Sequence, residues 1–214
     1  RTSVAAASTK YSEPMRLILA SASPSRLRLL QAAGIDPEVV VSNVDEDALQ
    51  AQMPDATPEQ VALALAQAKA RDVAQHRRGE VVLGADSVLD VDGRSLGKPL
   101  TPEIAVARWH EIAGRSAVLI TGHCLIHPGG EELAAASTTV HFAEPNDEEI
   151  AAYVATGEPL HVAGGFTLDG YGSAFVRGIE GDAANVIGLG IPLLRELIRA
   201  AGMRWTDFWG DFGV

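Results

Sequence analysis

The spacing of apolar positions changes several times along the chain, and each change marks an element. Residues 15–20 (MRLILA) form an unbroken apolar run, the pattern of a buried strand. Ser-Ala-Ser-Pro then leads into RLRLLQAAG. Ser23 suits an N-cap there, Pro24 the first helical turn and Gly34 the position just past the helix. Residues 37–42 read as a second strand, ending in the acidic run Asp45-Glu46-Asp47, which reads as a solvated loop. Over residues 58–77 the apolar positions Val61, Leu65, Ala68 and Val73 follow helical spacing, behind a Thr57 cap with Pro58 and Glu59 in the first turn. Residues 81–91 and Ser95-Leu96 predict strands that turn at Asp92-Gly93. Thr101 and Pro102 open a helix that ends near Gly114, and residues 116–127 and 131–142 predict paired strands around Gly129-Gly130. A helix over Asn146–Thr156 closes at Gly157; the glycine-rich AGGFTLDGYG, a strand over Ser173–Arg177 and a last helix over residues 185–201 follow. Strands that alternate with helices, some joined as hairpins, predict an α/β fold: a mixed, strongly twisted central sheet, flanking helices, and two lobes around a cleft.

Composition narrows the function. The chain has 214 residues, 47% hydrophobic and 21% charged, which is globular rather than disordered. Residues 1–14 are rich in Ser, Thr and Ala and read as a disordered leader; residues 15–214 read as one domain. The single cysteine, Cys124, excludes a disulfide framework and a four-cysteine zinc cluster. No apolar run approaches the roughly 20 residues of a membrane span. Together these features predict a cytoplasmic protein. A formal net charge of −11 argues against nucleic-acid polymers and membrane surfaces as partners. An anionic substrate would therefore need a local cationic pocket or a bridging metal. Of 17 basic residues only Lys10, Lys69 and Lys98 are lysines. Where Arg is the default cation, a retained Lys is either a chance survivor on a solvated face or a compact point charge that a site requires.

Four stretches carry candidate chemistry. A strand that runs into SASPSR at a helix start can form an anion site from free backbone N–H groups, the hydroxyls of Ser21 and Ser23, and Arg26; the plain alternative is an ordinary helix cap. Asp86 interrupts the apolar VVLGADSV, where a carboxylate is costly unless paired or cation-bound, and Gly84 permits close backbone approach. Lys98 is held between Gly97 and Pro99, as a phosphate-charge candidate. One acid of the Asp45-Glu46-Asp47 run could instead complete a metal site with Asp86. Lys69 sits mid-helix, where the plain alternative to a site role is a solvated face; Arg71 and Arg77 on the same helix read as solvated. No P-loop, no H-E-x-x-H and no G-x-S-x-G occurs. His123 and His127 read as sheet-core residues, and the aromatic tail from Trp205 to Phe212 as cover for a core edge or a subunit contact, leaving a homodimer open.

Taken in order, LILASASPSRLRLLQAAGI, VDED, AQAKA, VVLGADSVL, GKPLTPEIAVARWHEIAGRSAVLITG, AGGFTLDGYGSAFV and NVIGLGIPLL resemble the Maf family from about Met15 to Ile198. That family comprises nucleoside triphosphate pyrophosphatases with a fold distantly similar to inosine triphosphate pyrophosphatase. The resemblance implies a house-cleaning hydrolase that splits canonical or modified nucleotides between the α and β phosphates with a divalent cation, Mg or Mn. It further implies Asp86 as the catalytic aspartate, Glu46 near the metal, Lys69 and Lys98 on phosphates, and Ser21 and Arg26 in the phosphate loop. Two positions depart from the family pattern: Ser25 stands where Arg is common, and Asp169 where Gln is common. Both bear on base preference, and Asp169 would accept N–H donors from a base. The family's link to septum formation keeps one alternative open, a nucleotide-binding regulator without turnover.

Overall fold

The computed structural model describes residues 14–210. The leader apart from Pro14, with Lys10 in it, and Phe212 of the aromatic tail lie outside the described residues. The three longest strands are β3 (Val81–Val91), β5 (Ser116–His127) and β6 (Gly130–Phe142), and they pair antiparallel in that order. The short β1 (Leu17–Leu19) lies parallel to β3 and to β2 (Glu38–Val39), while β7 (Val176–Glu180) closes the other edge against β6. The seventh strand, β4 (Arg94–Leu96), pairs only with the end of β3. The β3–β4 turn has both central residues left-handed, Asp92 at φ 53° and Gly93 at φ 80°, the geometry that lets a two-residue turn follow strand twist.

Four of the predicted helices start where their caps predict. They are α1 (Pro24–Ala32) behind Ser23, α3 (Pro58–Ala74) behind Thr57, α4 (Pro102–Ile112) behind Thr101 and α5 (Asp147–Ala155) behind Asn146. Thr57 with Gln60, and Asn146 with Glu149, form reciprocal capping boxes. Two apolar bodies cover one face of the sheet. One gathers Trp109, Phe142, Tyr153 and Phe166, with Trp109 edge-on to Phe142 at 5.8 Å and to Tyr153 at 5.6 Å. The other gathers Leu19, Leu30, Leu83, Leu194 and Phe208, so the described part of the aromatic tail does cover a core edge.

On the opposite face α3 lies against β3 and β5 at backbone contact distance. A Cβ at Gly84 would stand 2.2 Å from the Ala66 carbonyl oxygen, and one at Gly122 2.4 Å from that of Ala62. Only glycine fits at either place. The buried stripe of α3 runs Val61, Ala62, Leu65, Ala66, Lys69, Ala70, Val73.

Five local expectations differ from the structure. The acidic run is not a loop: Asp45 accepts from the Ala48 N–H and caps α2 (Glu46–Ala51). β2 spans two residues where six were expected. The late strand begins at Val176, because residues 171–175 take a tight helical turn first. The last helix is two, α6 (Ala183–Ile187) and α7 (Ile191–Ala200). Gly188 at φ 132° and Pro192 in the first turn of α7 break it, although the apolar pattern runs through. Finally, Arg77 is not solvated but half-buried on Glu38, and for Lys69, 5% exposed on the packed stripe, the solvated alternative falls away. Arg71 is exposed, as expected, yet forks onto Glu131 at 2.8 and 3.1 Å.

Candidate active site

β3 is paired on one edge by β5 throughout. On its other edge β1 covers residues 81–83 and β4 covers 89–91. Residues 84–88 face neither, and a pocket of about 360 Å³ opens at this gap. Because strand side chains alternate, Asp86 turns to the α3 face and Ser87 to the α1 face, so the pocket is furnished from both sides of the sheet.

On the α3 side the Lys69 ammonium lies 2.6 Å from Asp86 Oδ1 and 2.8 Å from Glu46 Oε1. The Gly84 and Gly122 seam brings α3 near enough for this contact, and α2 delivers Glu46 from its first turn. Burial alone would raise the Glu46 carboxyl. The Lys69 hydrogen bond and the Lys69, Lys98 and Arg26 charges outweigh it and hold Glu46 below the usual carboxylate range. Lys98 lines the same pocket from the loop after β4 and forms no hydrogen bond or salt bridge among the described residues. Its loop is tied down by the Gly164 N–H on the Gly97 carbonyl at 3.1 Å and the Leu100 N–H on Leu160 at 2.9 Å.

On the α1 side Arg26 is 8% exposed and held at three points. Nε donates to the Gly188 carbonyl at 2.8 Å, one Nη to Ser21 Oγ at 3.0 Å and the other to Ser87 Oγ at 3.1 Å. A guanidinium has five N–H donors, so one remains on each terminal nitrogen, a fork suited to two oxygens of a phosphate. Burial lowers the Arg26 pKa, while Asp86 and Glu46 push it back up. Ser23 caps α1, its Oγ accepting from the Arg26 N–H at 3.5 Å, and Ser21 Oγ accepts from the Ser23 N–H at 3.2 Å.

Asp169 lines the pocket mouth and accepts from Arg28 at 3.2 Å, while Arg28 also reaches Ser25 Oγ at 3.1 Å. A cation one turn along α1 thus stands beside Ser25. The structure brings all eight expected site residues, Ser21, Ser23, Arg26, Glu46, Lys69, Asp86, Lys98 and Asp169, to one pocket. Sequence reasoning missed Ser87, the Gly188 carbonyl and His161, which also line it. Ser87 had a signal, being next to a suspect carboxylate on a strand; Gly188 had none until the helix break was seen.

The family profile described as Maf-like protein matches residues 16–201. A nucleoside triphosphate pyrophosphatase of Streptomyces avermitilis is 54% identical over 91% of this chain and 94% of its own length. One from Streptomyces coelicolor is 55% identical over the same shares. Among solved structures, the Ham1 protein of Staphylococcus aureus overlaps 60% of this chain and 72% of its own, with TM-score 0.38 and 16% identity.

Proposed function

The chain belongs to the Maf-like protein family, and from that premise we propose that it hydrolyses nucleoside triphosphates between the α and β phosphates, releasing a monophosphate and pyrophosphate. Relatives about half identical over nine tenths of the chain make it an enzyme of the nucleoside triphosphate pyrophosphatase class. The observation that carries the bond and the mechanism is the convergence on one pocket of two carboxylates, two lysines and an arginine with two unused N–H donors.

The donor set fits a hard divalent cation such as Mg²⁺ or Mn²⁺. Asp86 and Glu46 already reach a single cation, the Lys69 ammonium, within 2.8 Å. Among the described residues no group of three or more His, Cys, Asp or Glu could hold a metal alone, so substrate phosphates would complete the shell, as is common for Mg²⁺. When bound, the ion would neutralise phosphate charge and acidify water. The chain's own residues do the remaining work. Arg26 and Lys98 grip phosphate oxygens and fix the polyphosphate against β3. Lys69 stays beside the reacting phosphate as a compact charge. Asp86 accepts a hydrogen bond from the attacking water and orients it. Asp169 and Arg28 stand where a base would emerge.

Product analysis over canonical and modified triphosphates with Mg²⁺ or Mn²⁺ tests this reading. The expected products are monophosphate and pyrophosphate, and a chelator should abolish them. Asp86→Asn should lose several hundredfold or more in turnover, about the loss expected from removing a charge stabiliser, while circular dichroism shows the fold retained. Orthophosphate as the product, nucleotide binding without turnover, or near-native turnover by Asp86→Asn would overturn it.

A further inference from the structure

Arg26 depends on a carbonyl that belongs to a helix break. Gly188 lies between α6 and α7, at φ 132°, and its oxygen receives the Arg26 Nε–H at 2.8 Å. A carbonyl on a loop is a poor anchor unless the loop is itself fixed. Two side chains of β5 fix it from beneath. Thr121 Oγ1 donates to the Asn185 carbonyl at 3.3 Å, on α6, before the break. His123 Nε2 accepts the Gly190 N–H at 2.9 Å, after the break. Both side chains are 0% exposed, and they lie two residues apart on the same face of β5.

The donors can be ordered without ambiguity. Nδ1 of His123 lies 3.0 Å from the Thr121 carbonyl, which can only accept, so the ring proton is on Nδ1 and Nε2 is the acceptor. Thr121 gives its one proton to the Asn185 carbonyl, so in the 2.9 Å contact between the two hydroxyls Ser87, which accepts from Arg26, is the donor to Thr121 Oγ1. The chain Arg26–Ser87–Thr121–Asn185 and the chain Arg26–Gly188···Gly190–His123 thus leave one guanidinium and return to one strand. Gly190 carries no Cβ, and one built there would already touch His123 Cε1 at 3.4 Å.

We propose that His123, with Thr121 beside it, is a positioning residue for Arg26: it holds the α6–α7 junction so that the Gly188 carbonyl aims the guanidinium fork at the substrate phosphates. This rests on the reading of the pocket as a polyphosphate site. The Arg26 N–H donors that meet no partner among the described residues are useful only if the fork's angle is fixed, and a drift of the junction by about 1 Å would tilt it.

The test is a double-mutant cycle read on binding of inorganic triphosphate by titration calorimetry and, separately, on kcat/KM for the best nucleotide. His123→Leu should weaken triphosphate binding by about tenfold in the native background and hardly at all in Arg26→Ala, because coupled residues do not add. His123→Gln, whose amide oxygen can accept the Gly190 N–H, should recover most of the loss. Thr121→Val cuts the Ser87–Thr121–Asn185 chain isosterically and should show the same coupling, which keeps the test open if His123→Leu does not fold. Additive losses, native-like binding by both variants, or no triphosphate binding by the native protein would overturn the proposal. A coupled binding cycle without pyrophosphate release would instead sink the hydrolase reading and leave this one standing.

Discussion

Lys69 touches two carboxylates at 2.6 and 2.8 Å inside a packed stripe, which leaves no room for a planar fork. Lys69→Arg and Lys98→Arg should each lose about tenfold or more in kcat/KM, roughly 1.4 kcal/mol of transition-state binding. Lys69→Arg should also melt lower, because a larger guanidinium must fit a buried position between two carboxylates, whereas exposed Lys98→Arg should not. Equal activity of both variants and the native enzyme would show that neither lysine meets phosphate as a point charge. His123 gives a second residue-scale expectation. Burial first, and the Arg26 charge second, lower its pKa from 6.5 to about 4. Between those values the unfolded chain holds a proton that the folded chain refuses. Stability is therefore full above pH 6.5 and falls as pH drops toward 4. Thermal melts across this window should show the decline, and His123→Gln should flatten it. The Glu46 carboxyl, held low, adds its own loss only at lower pH, as it takes up a proton below the ordinary carboxylate range.

Helix α3 decides whether the two sides of the site meet. Gly84→Ala would place a methyl 2.2 Å from the Ala66 carbonyl oxygen. The helix must lift, at a cost of about 1–3 kcal/mol typical of overpacking, and Lys69 lifts with it. The expected result is a lower Tm together with reduced kcat/KM. Gly178→Ala in β7, where a Cβ meets nothing within 4 Å, serves as control and should change neither by much. Elements of this kind differ in how far the sequence discloses them. Caps are local: Ser23, Thr57, Thr101 and Asn146 each bond a backbone N–H three residues on, so α1, α3, α4 and α5 start where predicted. Faces are not local. Ala66, Lys69, Ala70 and Val73 share a core stripe, but reading a lysine into it requires knowing that Asp86 waits opposite. The α6–α7 break was written in Gly188, Gly190 and Pro192, yet apolar spacing continues across them and masked it. The phosphate-loop and carboxylate residues were legible from chemistry and family resemblance together. The Ser87–Thr121–Asn185 ladder was not, because polar residues on different strands become a chain only once register sets Ser87 opposite Thr121.

The molecule draws its site from residues 21 to 188 and gathers it where β3 is left bare between β1 and β4. A chain of net charge −11 thereby holds Arg26, Lys69 and Lys98 at one small opening, so the proposed polyphosphate substrate would be drawn by the pocket at short range and not by the surface field. The glycine seam under α3 also governs where the chain can change length. Ala62 over Gly122, Ala66 over Gly84 and Lys69 on Asp86 are marks on one ruler. Deleting a single residue between Ala62 and Ala66 would turn the rest of the helix by about 100°, carrying the ammonium off the sheet and the bulkier Gln67 onto Gly84. Such a deletion should abolish turnover even if the chain folds. An extra residue at the exposed Gly129 turn of the β5–β6 hairpin should leave turnover close to native. Spacing within α3, more than the identity of most of its side chains, is what a descendant of this sequence must keep.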